Sequence, residues 1–108
     1  LDGRVSAVVG SHTHVPTADA RVLPGGTAYI SDLGMCGDYD SVIGMEKGPA
    51  TERFVRKVIG ARLEPASGPG AIAGLFVETD DRTGLSIRAE PVRLGPGLPS
   101  AMPSLNPR

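Results

Sequence analysis

Apolar and polar positions recur along this chain at more than one spacing, and each spacing predicts a different element. Residues 5–9 (Val-Ser-Ala-Val-Val) form a short, β-branched, apolar run, which predicts a buried strand ended by a turn at Gly10. Residues 16–26 mix Pro, Thr, Asp and Gly with few apolar groups, so a loop or short extended excursion is expected. Residues 27–31 (Thr-Ala-Tyr-Ile-Ser) return to strand composition. This second strand is expected beside the first, with Asp32-Leu33-Gly34 opening towards the same cavity as the residues after Gly10. Residues 34–41 are too rich in glycine and turn formers for regular structure.

The spacing then changes. Phe54, Val55, Val58 and Ile59 share one face at i, i+1, i+4 and i+5, which predicts a helix over residues 49–59. Pro49 suits its first turn, Arg56 and Lys57 suit the negative end of its dipole, and Gly60 stops it. Beyond it, a short strand is expected at 61–65 and an antiparallel pair at 71–80 and 85–94. Residues 80–84 make the hairpin loop, with Gly84 taking positive φ. Leu85, Ile87 and Ala89 alternate with Ser86, Arg88 and Glu90, the pattern of a half-buried strand with its apolar side inward. Residues 95–108 are rich in proline, hold few large apolar groups, and are expected to be a disordered tail. At the other end, Asp2-Gly3 reads as the left-handed cap of a helix lying upstream, so a C-terminal piece of a longer protein is expected.

Composition narrows the class of protein. At 108 residues the chain is one domain at most, with room for a single modest core. The net charge of -1 supplies no basic field for nucleic acid or an anionic membrane. There is no apolar run of transmembrane length and no signal-peptide pattern. The single cysteine, Cys36, cannot form an internal disulfide, which fits a reducing cytoplasm.

Chemistry converges on residues 10–17, Gly-Ser-His-Thr-His-Val-Pro-Thr. His12 and His14 are the only histidines. Side chains two apart in extended chain point the same way, so both imidazoles can face one cavity, a common start to a transition-metal site. The competing reading is two surface histidines in a polar loop, and two donors do not complete a metal site. Thr17 or Asp19 could hold an imidazole by its second nitrogen, although Asp19 reads more simply as a loop cap. Cys36 lacks an activating partner and is expected as buried apolar filler. Asp38 and Asp40 read as turn and capping residues ahead of metal ligands, and Tyr39 as packing on its own loop ahead of packing on substrate.

Residues 8–19 (Val-Val-Gly-Ser-His-Thr-His-Val-Pro-Thr-Ala-Asp) resemble the final G-x-H-x-H metal-binding motif of the calcineurin-like metallophosphoesterases. The match is closer to the bacterial YmdB-like branch, which continues with a Leu-Pro-x-Gly-Thr-Ala-Tyr-Ile segment, here residues 23–30. An Asp-x-Gly-Met…Gly-x-Tyr-Asp-Ser-Val-Ile-Gly-Met segment follows, here residues 32–45. The resemblance runs in register to about Thr83 and is most specific over the first forty-five residues.

It implies an α/β fold, of which residues 1–94 would be the C-terminal portion of a two-sheet sandwich. It implies two divalent ions, with Mn or Fe suiting the donors and Zn also acceptable, and assigns His12 and His14 as metal ligands, one to each ion. The family's other acidic, Asn and His ligands have no counterparts here, so the isolated piece is expected to lack activity. For the whole protein the resemblance implies a phosphodiesterase acting on a small-molecule phosphodiester, such as 2′,3′-cyclic AMP. There, water made acidic by the ions attacks phosphorus in line. A homo-oligomer in the cytoplasm is expected. The alternative is a non-catalytic metal-binding or oligomerisation domain.

Overall fold

Strand-forming residues of the first thirty positions pair into one small sheet, and those of the last third into a long hairpin. The computed structural model describes residues 1–48 and 64–104. Strands β1 (Ala7–Val9), β2 (Arg21–Val22) and β3 (Ala28–Ile30) form a sheet in the order β1-β3-β2. β1 lies beside β3, as expected, parallel to it in the register Ala7 to Ala28 and Val9 to Ile30, and β2 runs antiparallel to β3. The expected loop over 16–26 therefore contains a two-residue strand. β4 (Ile72–Thr79) and β5 (Ser86–Leu94) form the antiparallel hairpin. Gly84 closes it at φ 72°, the conformation expected for that turn. Among the described residues every named element is a strand. The helix expected over 49–59 lies outside them, as does most of the 61–65 strand, although Pro65 pairs with Met45.

The centre of the first sheet is partly polar. Thr27 is fully buried; its hydroxyl donates to the Val5 carbonyl (2.7 Å) and accepts from the Gly3 N–H (2.8 Å). Gly3 stands at φ 83°, and the Asp2 carboxylate accepts the Gly25 and Thr27 N–H groups at 2.7 and 3.2 Å. These bonds satisfy the turn before β3 internally and so offset the desolvation of its buried polar atoms. Ala28 and Ile30 beside Thr27 supply the apolar part of this core, and Ala71 and Ala73 that of the hairpin.

The outward placement of apolar residues corrects two expectations. β1 is an edge strand, and Val9 is 48% exposed instead of buried. Along β5 the alternation is inverted: Ser86 and Arg88 are buried while Ile87 is 47% exposed. Ser86 is drawn in by hydrogen bonds, its N–H to the Gly26 carbonyl (2.7 Å) and its hydroxyl to the Ser6 carbonyl (2.6 Å). These bonds dock the hairpin on the first sheet. Arg88 is compensated by Glu78 (3.3 Å), Glu90 (3.7 Å) and the Phe76 ring, 4.8 Å from its guanidinium carbon. At the far end of β5 the Arg93 guanidinium donates to the Thr17 carbonyl at 2.6 Å, a second tie between hairpin and sheet.

The 95–108 segment, expected as a disordered tail, is described as far as Ser104 and turns back on the hairpin. Gly95 and Gly97 take φ 116° and 85°, and Ala101 exchanges two backbone bonds with Arg93 at 2.7 and 2.9 Å.

Candidate metal centre

Parallel pairing sends the chain out of β1 and β3 at the same end, so the loops that follow them are neighbours. They are stitched together: Gly10 N–H donates to Ile30 O (3.1 Å), Leu33 N–H to Gly10 O (2.9 Å) and Thr17 N–H to Asp32 O (3.1 Å). Gly10 ends β1 as expected, without positive φ. Its glycine is needed because a Cβ there would lie 1.9 Å from the Ser31 carbonyl oxygen.

Asp32 organises the histidine loop. Its Oδ2 accepts the N–H of His12 (2.8 Å), the N–H of Thr13 (2.6 Å) and the Thr13 hydroxyl (2.8 Å), and its Oδ1 accepts the Gly34 N–H (2.9 Å). Those contacts, led by Gly34 and then by His12 and Thr13, hold the carboxyl far below the usual carboxylate range, against the opposing effect of burial. Consecutive N–H groups of a strand point to opposite sides, so one carboxylate can take both only if the chain bends. Residues 12–15 are accordingly bends, and His14 stands at φ 67°. The expectation that the histidines lie two apart on extended chain is therefore corrected: the bend around Asp32 sets their directions.

The His14 ring is held from outside its loop. Its Nδ1 lies 2.8 Å from the Ile43 carbonyl oxygen. A carbonyl only accepts, so Nδ1 carries a proton, and in the neutral ring the lone pair then lies on Nε2. Both histidines are exposed. Two imidazoles, one already held through Nδ1, suit a divalent transition ion as part of a shell. Among the described residues no group of three or more His, Cys, Asp or Glu is placed to complete one.

The other candidates settle into structural roles. Asp19 caps the end of β3: it accepts from the Ser31 hydroxyl, the Ser31 N–H and the Thr17 hydroxyl (2.6 Å). The Ser31 and Thr17 hydroxyls, in that order, pull its pKa down to about 2. Asp38 accepts the N–H groups of Asp40 (2.8 Å) and Gly68 (3.1 Å), and Asp40 pairs with Lys47 at 2.9 Å. The Tyr39 hydroxyl bonds both main-chain groups of Met35, as expected for packing on its own loop. Cys36 is exposed, not buried filler. The Gly37–Ala71 bridge beside it leaves its thiol at the surface, 3.5 Å from the Ala73 carbonyl oxygen.

Sequence reasoning placed Asp32 near the cavity without giving it a role; a carboxylate directly after a strand beside a polar loop was the available signal. Ile43 left no signal, because it acts through its main chain.

Residues 1–92 match the family model described as YmdB-like protein. The chain is 46% identical over 89 residues to the 2′,3′-cyclic-nucleotide 2′-phosphodiesterase of Bacillus subtilis (strain 168), covering 82% of this chain and 33% of that protein. Two crystal structures are similar, each 38% identical. A phosphatase from Mycoplasma pneumoniae matches 86% of this chain and 33% of its own with a TM-score of 0.80. A hypothetical protein from Thermus thermophilus matches 87% and 36% with a TM-score of 0.79. The chain thus spans about a third of the length of the relatives it matches.

Proposed function

The chain belongs to the YmdB-like protein family, and on that premise we propose that it supplies the histidine loop of a dimetal phosphodiesterase that cleaves 2′,3′-cyclic nucleotides. The observation that carries this reading is the presentation of His14. Its Nδ1 is spent on the Ile43 carbonyl, so Nε2 is the nitrogen offered outward, from a loop at the shared end of two parallel strands. His12 lies on the same bend, its main-chain N–H held by Asp32. When bound, two divalent ions supply charge that neutralises a phosphodiester and acidity that makes water a nucleophile near neutral pH. Mn or Fe suits imidazole donors mixed with oxygen donors, and Zn is also accommodated.

The residues of this chain contribute position. Asp32 fixes the main chain of His12 and Thr13, and Asp19 and Thr17 brace the strand end from which Asp32 projects. Geometry held in this way lets ligands meet an ion without reorganising. The remaining donors and the substrate-contacting groups would come from outside these residues, so the reading concerns the native gene product.

The test is metal content and hydrolysis of 2′,3′-cyclic AMP by the native gene product and its His12→Ala and His14→Ala variants. Each substitution is expected to lower bound Mn²⁺ and to abolish metal-dependent hydrolysis. Wild-type metal content and rate in both variants would overturn the reading.

A further inference from the structure

His14 and Ile43 are the two non-glycine residues with positive φ among the described residues, at 67° and 47°, and they are bonded to one another. Histidine tolerates this region moderately well; a β-branched residue there is an outlier. Ile43-Gly44 forms the two-residue loop of a miniature hairpin. Val42 N–H donates to Met45 O and Met45 N–H to Val42 O, both at 2.9 Å, and Gly44 also has positive φ, at 93°. Positive φ at both central positions is the primed turn that favours Asn-Gly, and isoleucine is a poor choice for its first position. Side-chain burial does not explain the choice, since Ile43 is 57% exposed.

What the turn does is aim a carbonyl. Its geometry is imposed from several sides: the Ser41 hydroxyl accepts the Gly44 N–H (2.9 Å), the Gly44 carbonyl accepts the Ala66 N–H (2.8 Å), and Met45 pairs with Pro65. Strain retained at an over-determined position points to a role for that position. We infer that Ile43 is a positioning residue for the metal site: its main-chain oxygen holds His14 in the Nδ1–H tautomer and presents Nε2. This rests on the reading of His14 as a ligand. A proton on Nε2 would block coordination there, and a ring free to rotate would have to be ordered by the ion. Outer partners of ligating histidines of this kind change metal affinity by about 10–100-fold.

The experiment uses the native gene product, ¹⁵N-labelled at histidine and stripped of metal. Imidazole ¹⁵N shifts report the tautomer, and calorimetric titration with Mn²⁺ reports affinity. Wild type is expected to show His14 protonated at Nδ1. Ile43→Pro cannot take positive φ, so the carbonyl must leave; mixed tautomers and Mn²⁺ binding weakened about 10–100-fold are expected. Ile43→Gly keeps the carbonyl and accepts the φ, and is expected to keep both the tautomer and the affinity. An Nε2–H tautomer in wild type, or an Ile43→Pro variant with wild-type tautomer and affinity, would overturn the inference. Should Ile43→Pro fail to fold, the wild-type tautomer decides alone. The ligand reading falls separately, if His14→Ala binds Mn²⁺ as tightly as wild type.

Discussion

The Gly10 Cα faces the Ser31 carbonyl so closely that an added methyl would sit 1.9 Å from its oxygen. The atom in the way is backbone, fixed where β3 ends and where Asp19 caps the Ser31 N–H. Gly10→Ala must therefore separate the ends of β1 and β3. We expect a loss of about 3 kcal/mol or more, at the upper end of overpacking costs, seen as a lower urea midpoint with unchanged slope. A variant within about 0.5 kcal/mol of wild type, the range of an ordinary surface change, would show that the two strand ends are not packed in this way.

Asp32→Asn tests the acceptor role directly. The side chain keeps its shape but loses one of two acceptor oxygens and its charge, while four donors converge on it. The bend carrying His12 and Thr13 loosens, and Mn²⁺ affinity is expected to fall at least about tenfold, with little change in secondary structure by circular dichroism. Equal affinity would remove Asp32 from the organisation of the site.

Acid should destabilise the loop ends in a defined direction. Asp32 and Asp19 both have folded pKa values below the ordinary carboxylate value of about 4, Asp19 down to about 2. Below about pH 4 the unfolded chain binds more protons than the folded one, so stability falls as pH falls. The contribution is fully present above about pH 4 and is lost as pH drops through the folded values. Urea midpoints measured from about pH 7 to about pH 2.5 should therefore decline below about pH 4. The decline should be shallower in Asp19→Asn, and an identical slope in that variant would contradict the assignment.

The buried guanidinium of Arg88 is expected to be worth more than a surface ion pair. Removing it leaves Glu78 and Glu90, on adjacent strands, without the cation they share, and Phe76 uncovered. Arg88→Ala should cost about 2 kcal/mol, a value discounted because both carboxylates are partly exposed. Arg88→Met, which restores the apolar stem over the ring, should recover part of it. Thermal melts of the two variants give the comparison; equal melting temperatures would show that packing on Phe76 contributes nothing.

Local composition was enough to place β1, β3, β4 and β5, the 80–84 turn with Gly84 left-handed, the neighbourhood of β1 and β3, and the capping role of Asp19. Each depends on residues near in sequence or on a strong strand propensity. The resemblance of residues 8–45 to a known family was likewise legible from residues alone, and the family match over 1–92 agrees with it. Hydropathy did not decide which face of β5 is inward. Ser86 is buried because Gly26 and Ser6 offer carbonyls to it, and Arg88 because Glu78, Glu90 and Phe76 compensate it.

The direction of the two imidazoles was the part only tertiary structure could decide. Spacing of two in extended chain put them on one side, but Asp32, twenty residues after His12, bends that chain by gathering consecutive N–H groups. Ile43 then orients His14 through a carbonyl that every residue type possesses. A backbone acceptor leaves no mark in composition or periodicity. Its effect depends on where the fold brings it, and long-range contacts of that kind exist only once the strands have paired.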